Sequence, residues 1–233
     1  MRRLGPLTAN VKQHQYNPMS ATAISSTQDL VLRPATADDA LCLSVLAMQV
    51  FLDTYATQGI RPAIAREVLA GYSEPVFAQA IASERARICV AELSGHLVGF
   101  AHVTVGATHE FVSSGSQSEL LRLYVQEPFT GQRVGSRLLA EAEHLAGEAG
   151  SQVLWLTPWV HNYRALGFYG RRGYEDLGLT YFAFEGESHE NRVYAKSLSS
   201  VASAAHMPIA PDPPQRQAAS PKHALPPQSK APP

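Results

Sequence analysis

The stretch TGQRVGS, residues 130–136, stands where an apolar run hands over to a helical pattern, and its residue types suit an anion. The first N–H groups of a helix have no intrahelical partner, and the helix dipole makes that end electropositive. Gly131 and Gly135 allow backbone to come close to a phosphate held there. The pattern is neither a Walker loop nor a G-x-G-x-x-G fingerprint, and many glycine-bearing strand-to-helix turns bind nothing. Further on, NYRALGFYGRRGY (162–174) sets Asn162 and Tyr169 seven residues apart. That spacing is close to two helical turns, so both side chains share a face at a separation of roughly 10 Å. Taken singly, such a tyrosine is ordinarily a core residue with its hydroxyl at the surface, and such an asparagine is ordinarily a helix cap.

The elements that must position these residues are legible in the pattern. LVLRPA reads as a short strand. In the helical stretch that follows, Thr36 and Asp39 have capping-box spacing, and Ala40, Leu43, Leu46 and Val50 recur at helical intervals. A second helical stretch is expected over 62–83. RICVAELSGHLVGFAHVTV gives two apolar runs joined by a glycine turn, a hairpin signal. After the polar loop GATHEFVSSGSQ come a strand, ELLRLYV, the loop QEPFTGQR and a long helix from Val134. On that helix Val134, Leu138, Ala142, Leu145 and Ala149 share one face, and Gly150 suits its C-terminal end. QVLWLT, the short helix of Asn162 and Tyr169, and two strands around LTYFAFEGESHENRVYAKSL complete the series. The alternation predicts one α/β domain with a mixed sheet over residues 29–198, and no internal repeat is found.

Composition narrows the function class. The chain has 233 residues, 45% hydrophobic and 17% charged, with a formal net charge of −1. That is long enough for one well-buried domain and short for two. The near-neutral balance argues against a nucleic-acid or membrane-surface partner held by bulk electrostatics. Cys42 and Cys89 both lie in apolar runs and are expected to be buried free thiols. The nine histidines show no metal-ligand spacing, so no metal is expected. No stretch reaches the apolar length of a membrane span. Residues 1–28 lack the apolar core of a signal peptide and are expected to be a flexible leader, with Met19 an alternative start. Residues 199–233, dominated by Pro, Ala, Ser and Gln, are expected to form a disordered tail. These readings place the protein in the cytoplasm.

Together the segments resemble the GCN5-related N-acetyltransferase (GNAT) family. LVLRPATADDA, FLDTY, LVGFAHV, ELLRLYV, GQRVGSRLL and NYRALGFYGRRGYEDLG occur in the family's order and spacing, over nearly the whole domain. The likeness is greatest to bacterial members of the polyamine and small-amine type. It implies a mixed sheet of about six to seven strands, with central parallel strands splayed apart, flanked by about four helices. It also implies acetyl-CoA as co-substrate. The family's phosphate loop, Gln/Arg-x-x-Gly-x-Gly/Ala, falls on Thr130, Gly131, Gln132, Arg133, Val134 and Gly135, with Ser136 next. Thr130 stands in place of Gln or Arg, and Arg133 in place of Gly. If position 133 needs positive φ, arginine is strained there by roughly 1–2 kcal/mol, though it also brings a cation toward the pyrophosphate.

The resemblance assigns roles residue by residue. The pantetheine arm would lie between the splayed strands LLRLYV and QVLWLT, bonded by the backbone of Leu123 and Val125, with Tyr124 between them. Asn162 would meet a pantetheine amide, Ala165 and Phe168 would line the wall, and Tyr169 would reach the thioester sulfur and protonate the departing thiolate. Gly167 and Gly170 would permit close packing of the helix. An amine acceptor has to lose a proton, and Glu119, at the start of the central strand, is the candidate base against the alternative of a solvated strand-end carboxylate. The Val125 N–H is the natural donor to the oxyanion. Glu185, Glu187 and Glu190 would attract a cationic polyamine from the last hairpin, against the alternative of a solvated loop; His102 and His109, near the loop before the central strand, are candidates to touch substrate, against the ordinary case of a lone histidine with no special role. The expected reaction is direct acetyl transfer to the primary amine of a small molecule such as a polyamine, in a ternary complex. A protein or peptide acceptor, or an acetyl-CoA-binding sensor without turnover, is the alternative. Dimers being the commonest assembly, a homodimer is the oligomer to look for.

Overall fold

The computed structural model describes residues 30–113, 115–184 and 187–198; the expected leader and tail lie outside the described residues. Seven strands form one sheet in the order β1-β2-β3-β4-β5-β7-β6. They are β1 (Leu30–Pro34), β2 (Ala86–Leu93), β3 (His96–Val105), β4 (Gln117–Val125), β5 (Val153–Leu156), β6 (Glu175–Phe184) and β7 (Glu187–Ser197). The helices are α1 (Ala40–Tyr55), α2 (Pro62–Gly71), α3 (Glu74–Ile81), α4 (Val134–Glu148) and α5 (Tyr163–Gly170).

Local chemistry accounts for most of these boundaries. Ser94 and Gly95 have φ of 50° and 81°, the left-handed pair a two-residue β2–β3 hairpin turn demands. Asp39 reaches back to the Thr36 N–H at 2.7 Å, the half of the capping box that satisfies an orphan donor. Its two oxygens also accept from Arg33 at 2.7 and 2.8 Å, which ties β1 to the start of the helical segment. The single helix expected over 62–83 is instead two, α2 and α3, because Pro75 enters at the first turn of α3 and cannot extend α2. Cys89 is buried as expected, but Cys42 is exposed, since it lies with Leu41 and Val45 on the outward face of α1 while Leu43, Leu46 and Ala47 take the core.

The core lies in two layers. Over one face, α4 buries Val134, Leu138, Leu139, Ala142 and Ala146 against Ala101, Val103, Leu120 and Leu154. Over the other, α1 and α3 pack Leu43, Leu46 and Phe77 onto Ile88, Val90 and Phe100. Leu145 packs only partly against the α4 layer. Farther along that second face, the loop 106–113 folds back so that Val112 and His109 cover Trp155.

Two irregularities place the site. β4 and β5 are parallel but pair over only three positions, ending at Glu119↔Trp155. Beyond that point β4 runs on to Val125 with no partner on this side, and the sheet splays. On the other side β4 carries one extra residue against β3, because His102 pairs with Arg122 and Val103 with Leu120. Leu121 is the bulged residue, and it shifts the alternation of every side chain after it.

Candidate active site

A cleft of about 670 Å³ opens at the splay. Its floor on the strand side is Leu123 and Val125. The Gln126 N–H turns the other way and donates to Val98 O at 3.0 Å. Strand alternation therefore directs the peptide groups of Leu123 and Val125 into the gap. Tyr124 does not join them. Its ring is turned to the opposite face, where it packs on Phe100 and Tyr72, and its hydroxyl lies 3.3 Å from that of Tyr72.

The loop before α4 has the shape an anion needs. Gly131 and Arg133 both take the left-handed conformation, with φ of 75° and 66°. Arg133 is the N-cap and has no side-chain acceptor to spend on the helix. Arg137 is the first N–H to bond back, to Arg133 O at 3.0 Å, so the amides of Val134, Gly135 and Ser136 stay without intrahelical partners. Thr130, Gly131, Arg133, Gly135 and Ser136 line the cleft. Gln132 folds back to Pro128 O at 2.7 Å, and the Val134 side chain is buried in the core; these two contribute backbone only. Arginine is the costly residue for a left-handed N-cap. Arg133→Gly is therefore expected to stabilise the fold by about 0.5–1 kcal/mol, read as a raised Tm of the unliganded protein.

The far wall is α5. Asn162 caps it, with Oδ1 accepting from the Ala165 N–H at 3.0 Å, which leaves its amide NH₂ for a ligand. Asn162, Ala165, Phe168 and Tyr169 all line the cleft, the single face that their spacing predicts. Tyr169 is buried. Burial raises its hydroxyl pKa well above the ordinary value, Tyr55 reinforces the rise and Arg172 opposes it, so it stays protonated at neutral pH. The two glycines do not serve close packing. A methyl group at Gly170 would meet nothing within 4 Å, and at Gly167 only the flexible end of Arg171.

Arg172 escaped sequence reasoning although it stands in the quoted stretch. Its guanidinium lies 3.7 Å over the Phe168 ring and donates to Phe168 O at 3.2 Å and to Ser136 Oγ. It thus joins the end of α5 to the start of α4 at the rim of the cleft. Two arginines directly after a short helix were the available signal. Arg164 makes a further bridge, to Glu127 at 2.8 Å.

Glu119 does not line this cleft. It sits half-buried on the face of β4 opposite α4, and its carboxyl pKa is raised by burial, with Arg122 opposing. His102 is buried, and burial together with the Arg122 charge brings its pKa down to about 4; it is a neutral ring beside that arginine. His109 packs on Trp155 and Phe111. Glu190 is exposed on β7 opposite Tyr181. Glu185 and the Glu187 side chain lie outside the described residues. Among the described residues no cluster of His, Cys, Asp and Glu could hold a metal ion, and no helix is long and apolar enough to cross a membrane.

Comparison with known proteins gives a consistent result. The model of the acetyltransferase (GNAT) family matches residues 57–174, a span that runs from the end of α1 through the β4–β5 splay to the end of α5. An uncharacterized N-acetyltransferase from the pepI 3′ region of Lactobacillus delbrueckii subsp. lactis is 24% identical over 153 residues, 66% of this chain and 88% of its own. An IAA acetyltransferase of Azospirillum brasilense is 30% identical over 100 residues, 43% of this chain and 61% of its own. Among solved structures, the PaiA N-acetyltransferase of Thermoplasma acidophilum, in complex with coenzyme A, aligns with a TM-score of 0.58 at 22% identity, over 72% of this chain and 98% of that one.

Proposed function

The chain belongs to the acetyltransferase (GNAT) family, and from that premise we propose that it moves the acetyl group of acetyl-CoA directly to the primary amine of a small molecule, within a ternary complex. One observation carries the reading: the unpaired edge of β4 at Leu123 and Val125 lies between an anion loop and a protonated tyrosine, along one cleft. Free strand amides suit the two amides of a pantetheine arm, and the partnerless N–H groups of Val134, Gly135 and Ser136 suit its pyrophosphate. The Asn162 NH₂, not used in capping α5, donates to an amide carbonyl of the same arm.

The amine nitrogen attacks the thioester carbonyl, and its proton passes to the Glu119 carboxylate, directly or through water. The carbonyl oxygen takes up negative charge opposite the Val125 N–H. When the C–S bond breaks, the electron pair stays on sulfur, and the Tyr169 hydroxyl donates its hydrogen bond there. A free thiol has a pKa of roughly 8.5, so the thiolate is a tolerable leaving group and Tyr169 has a modest task.

Arg172 adds a cation at the rim that sequence reasoning did not include. Arg172→Gln is expected to weaken acetyl-CoA binding by roughly 10-fold, the scale of one charge-assisted contact, and titration calorimetry reads it directly.

The proposal is tested by thiol release from acetyl-CoA with polyamines, aminoglycosides, amino acids and short peptides as acceptors. Release above the hydrolysis blank with a small amine supports it. Release with peptides alone moves the acceptor to protein. Binding of acetyl-CoA, seen as a raised Tm, without release to any amine would make the protein a sensor and overturn the proposal.

A further inference from the structure

We propose that the acceptor carries a carboxylate next to its reacting amine, as an amino acid does, and that Arg122 binds this carboxylate while Glu119 faces the amine. The inference rests on the transfer reading above and narrows its substrate class.

The bulge at Leu121 is its geometric basis. Before the bulge, Ser118 and Leu120 point toward α4, where Ser118 Oγ lies 2.6 Å from Ser151 Oγ, so Glu119 points to the other face. Plain alternation would then send Arg122 to the α4 side. The extra residue sends it instead to the face of Glu119. A half-buried carboxylate and a half-buried guanidinium thus stand on one face of one strand.

Neither makes an ion pair with a described residue. The Arg122 guanidinium lies 4.9 Å from the centre of the Tyr72 ring and 5.7 Å from that of Phe77. Its nearest polar side-chain partner is the neutral His102 ring, Nδ1 to Nη1 at 3.4 Å. A guanidinium carries five donors, and rings and one long imidazole contact leave most of them unmet. A charge half-removed from water with no carboxylate in direct contact is costly in a resting protein. The cost is understandable where a ligand supplies the anion.

Both side chains keep part of their surface exposed. Helices α1 and α3 cover this face over β2 and β3, and the 106–113 loop covers it over β5. Glu119 and Arg122 stand on the strip of β4 between those covers, next to the end of the β4–β5 pairing where the splay begins. A zwitterion matches both charges at once, with its ammonium toward Glu119 and its carboxylate on Arg122. A polycation sets like charge against Arg122.

The test compares wild-type kcat/KM for acceptor pairs that differ only by the carboxylate, such as lysine with cadaverine and phenylalanine with phenethylamine, across the common amino acids. A preference of roughly 10- to 100-fold for the carboxylated member is expected, the range of a charge-assisted contact. Arg122→Gln should abolish that preference through the KM of the carboxylated acceptor, not through the KM of acetyl-CoA, and Arg122→Lys should restore part of it. Equal or better turnover of the decarboxylated amines, or of polyamines, overturns the inference while the transferase reading stands. A preference that survives Arg122→Gln also overturns it. Absence of turnover with every amine, acetyl-CoA still binding, brings down the transfer reading and this inference together. If Arg122→Gln does not fold, the wild-type ratio still decides.

Discussion

Tyr169→Phe is expected to slow turnover by about 100-fold while the KM for acetyl-CoA stays within about twofold. The substitution removes one oxygen and keeps the ring, with its edge contacts to Phe168 and Tyr174 at 5.2 and 5.6 Å between centroids. The cleft wall therefore survives. The magnitude follows from proton affinity. Burial holds the Tyr169 pKa well above its ordinary value, so full transfer of its proton to a thiolate of pKa roughly 8.5 runs uphill. What the hydroxyl supplies is a hydrogen bond to the developing charge, and the loss belongs at the low end of general-acid effects. Wild-type and variant rates compared between about pH 6 and 9, around that thiol-like pKa, provide the check. Equal activity over that range would remove Tyr169 from the mechanism.

For Glu119→Gln the expected deficit is also about 100-fold at neutral pH, but with a different pH signature. A base works only when deprotonated. Burial raises the Glu119 pKa, so the acidic limb of the wild-type kcat/KM profile should lie above the ordinary glutamate range of about 4.3. The rate rises with pH through that limb. In the variant the limb disappears, because glutamine does not titrate. Its activity then follows the fraction of acceptor already deprotonated, and its deficit shrinks as pH climbs toward the amine's own pKa. A pH–rate profile of both proteins separates the roles. An unchanged acidic limb in the variant would return Glu119 to the rank of a strand-end carboxylate.

What could be read ahead of the structure was whatever depends on neighbours in sequence. The Ser94–Gly95 turn, the face of α4, the handover from β4 into the anion loop and the shared face of Asn162 and Tyr169 all follow from local periodicity and turn chemistry. The break between α2 and α3 has its signal in Pro75, which stands inside an otherwise continuous helical pattern. Tyr124 and Arg122 were beyond reach for a different reason. Their facing is decided by the extra residue at Leu121, and the apolar string around it reads the same with or without a bulge. Arg172 depends on Phe168 beneath it and Ser136 on another element, a meeting that only the tertiary fold arranges. The exposure of Cys42 shows the same limit on a small scale, since an apolar run does not reveal which of its members turns outward.

The bulge also separates two things usually treated as one, the identity of a residue and its presence. Leu121 is 41% exposed, and its side chain is open to exchange during divergence. Its presence is a separate matter. Loss of that single codon would remove the local bend and leave every other side chain of β4 on its present face, with Arg122 still opposite His102 and Leu120 opposite Val103. Within this strand natural variation should therefore admit both substitution at 121 and its deletion, a difference of one residue in length that leaves the facing of its neighbours unchanged.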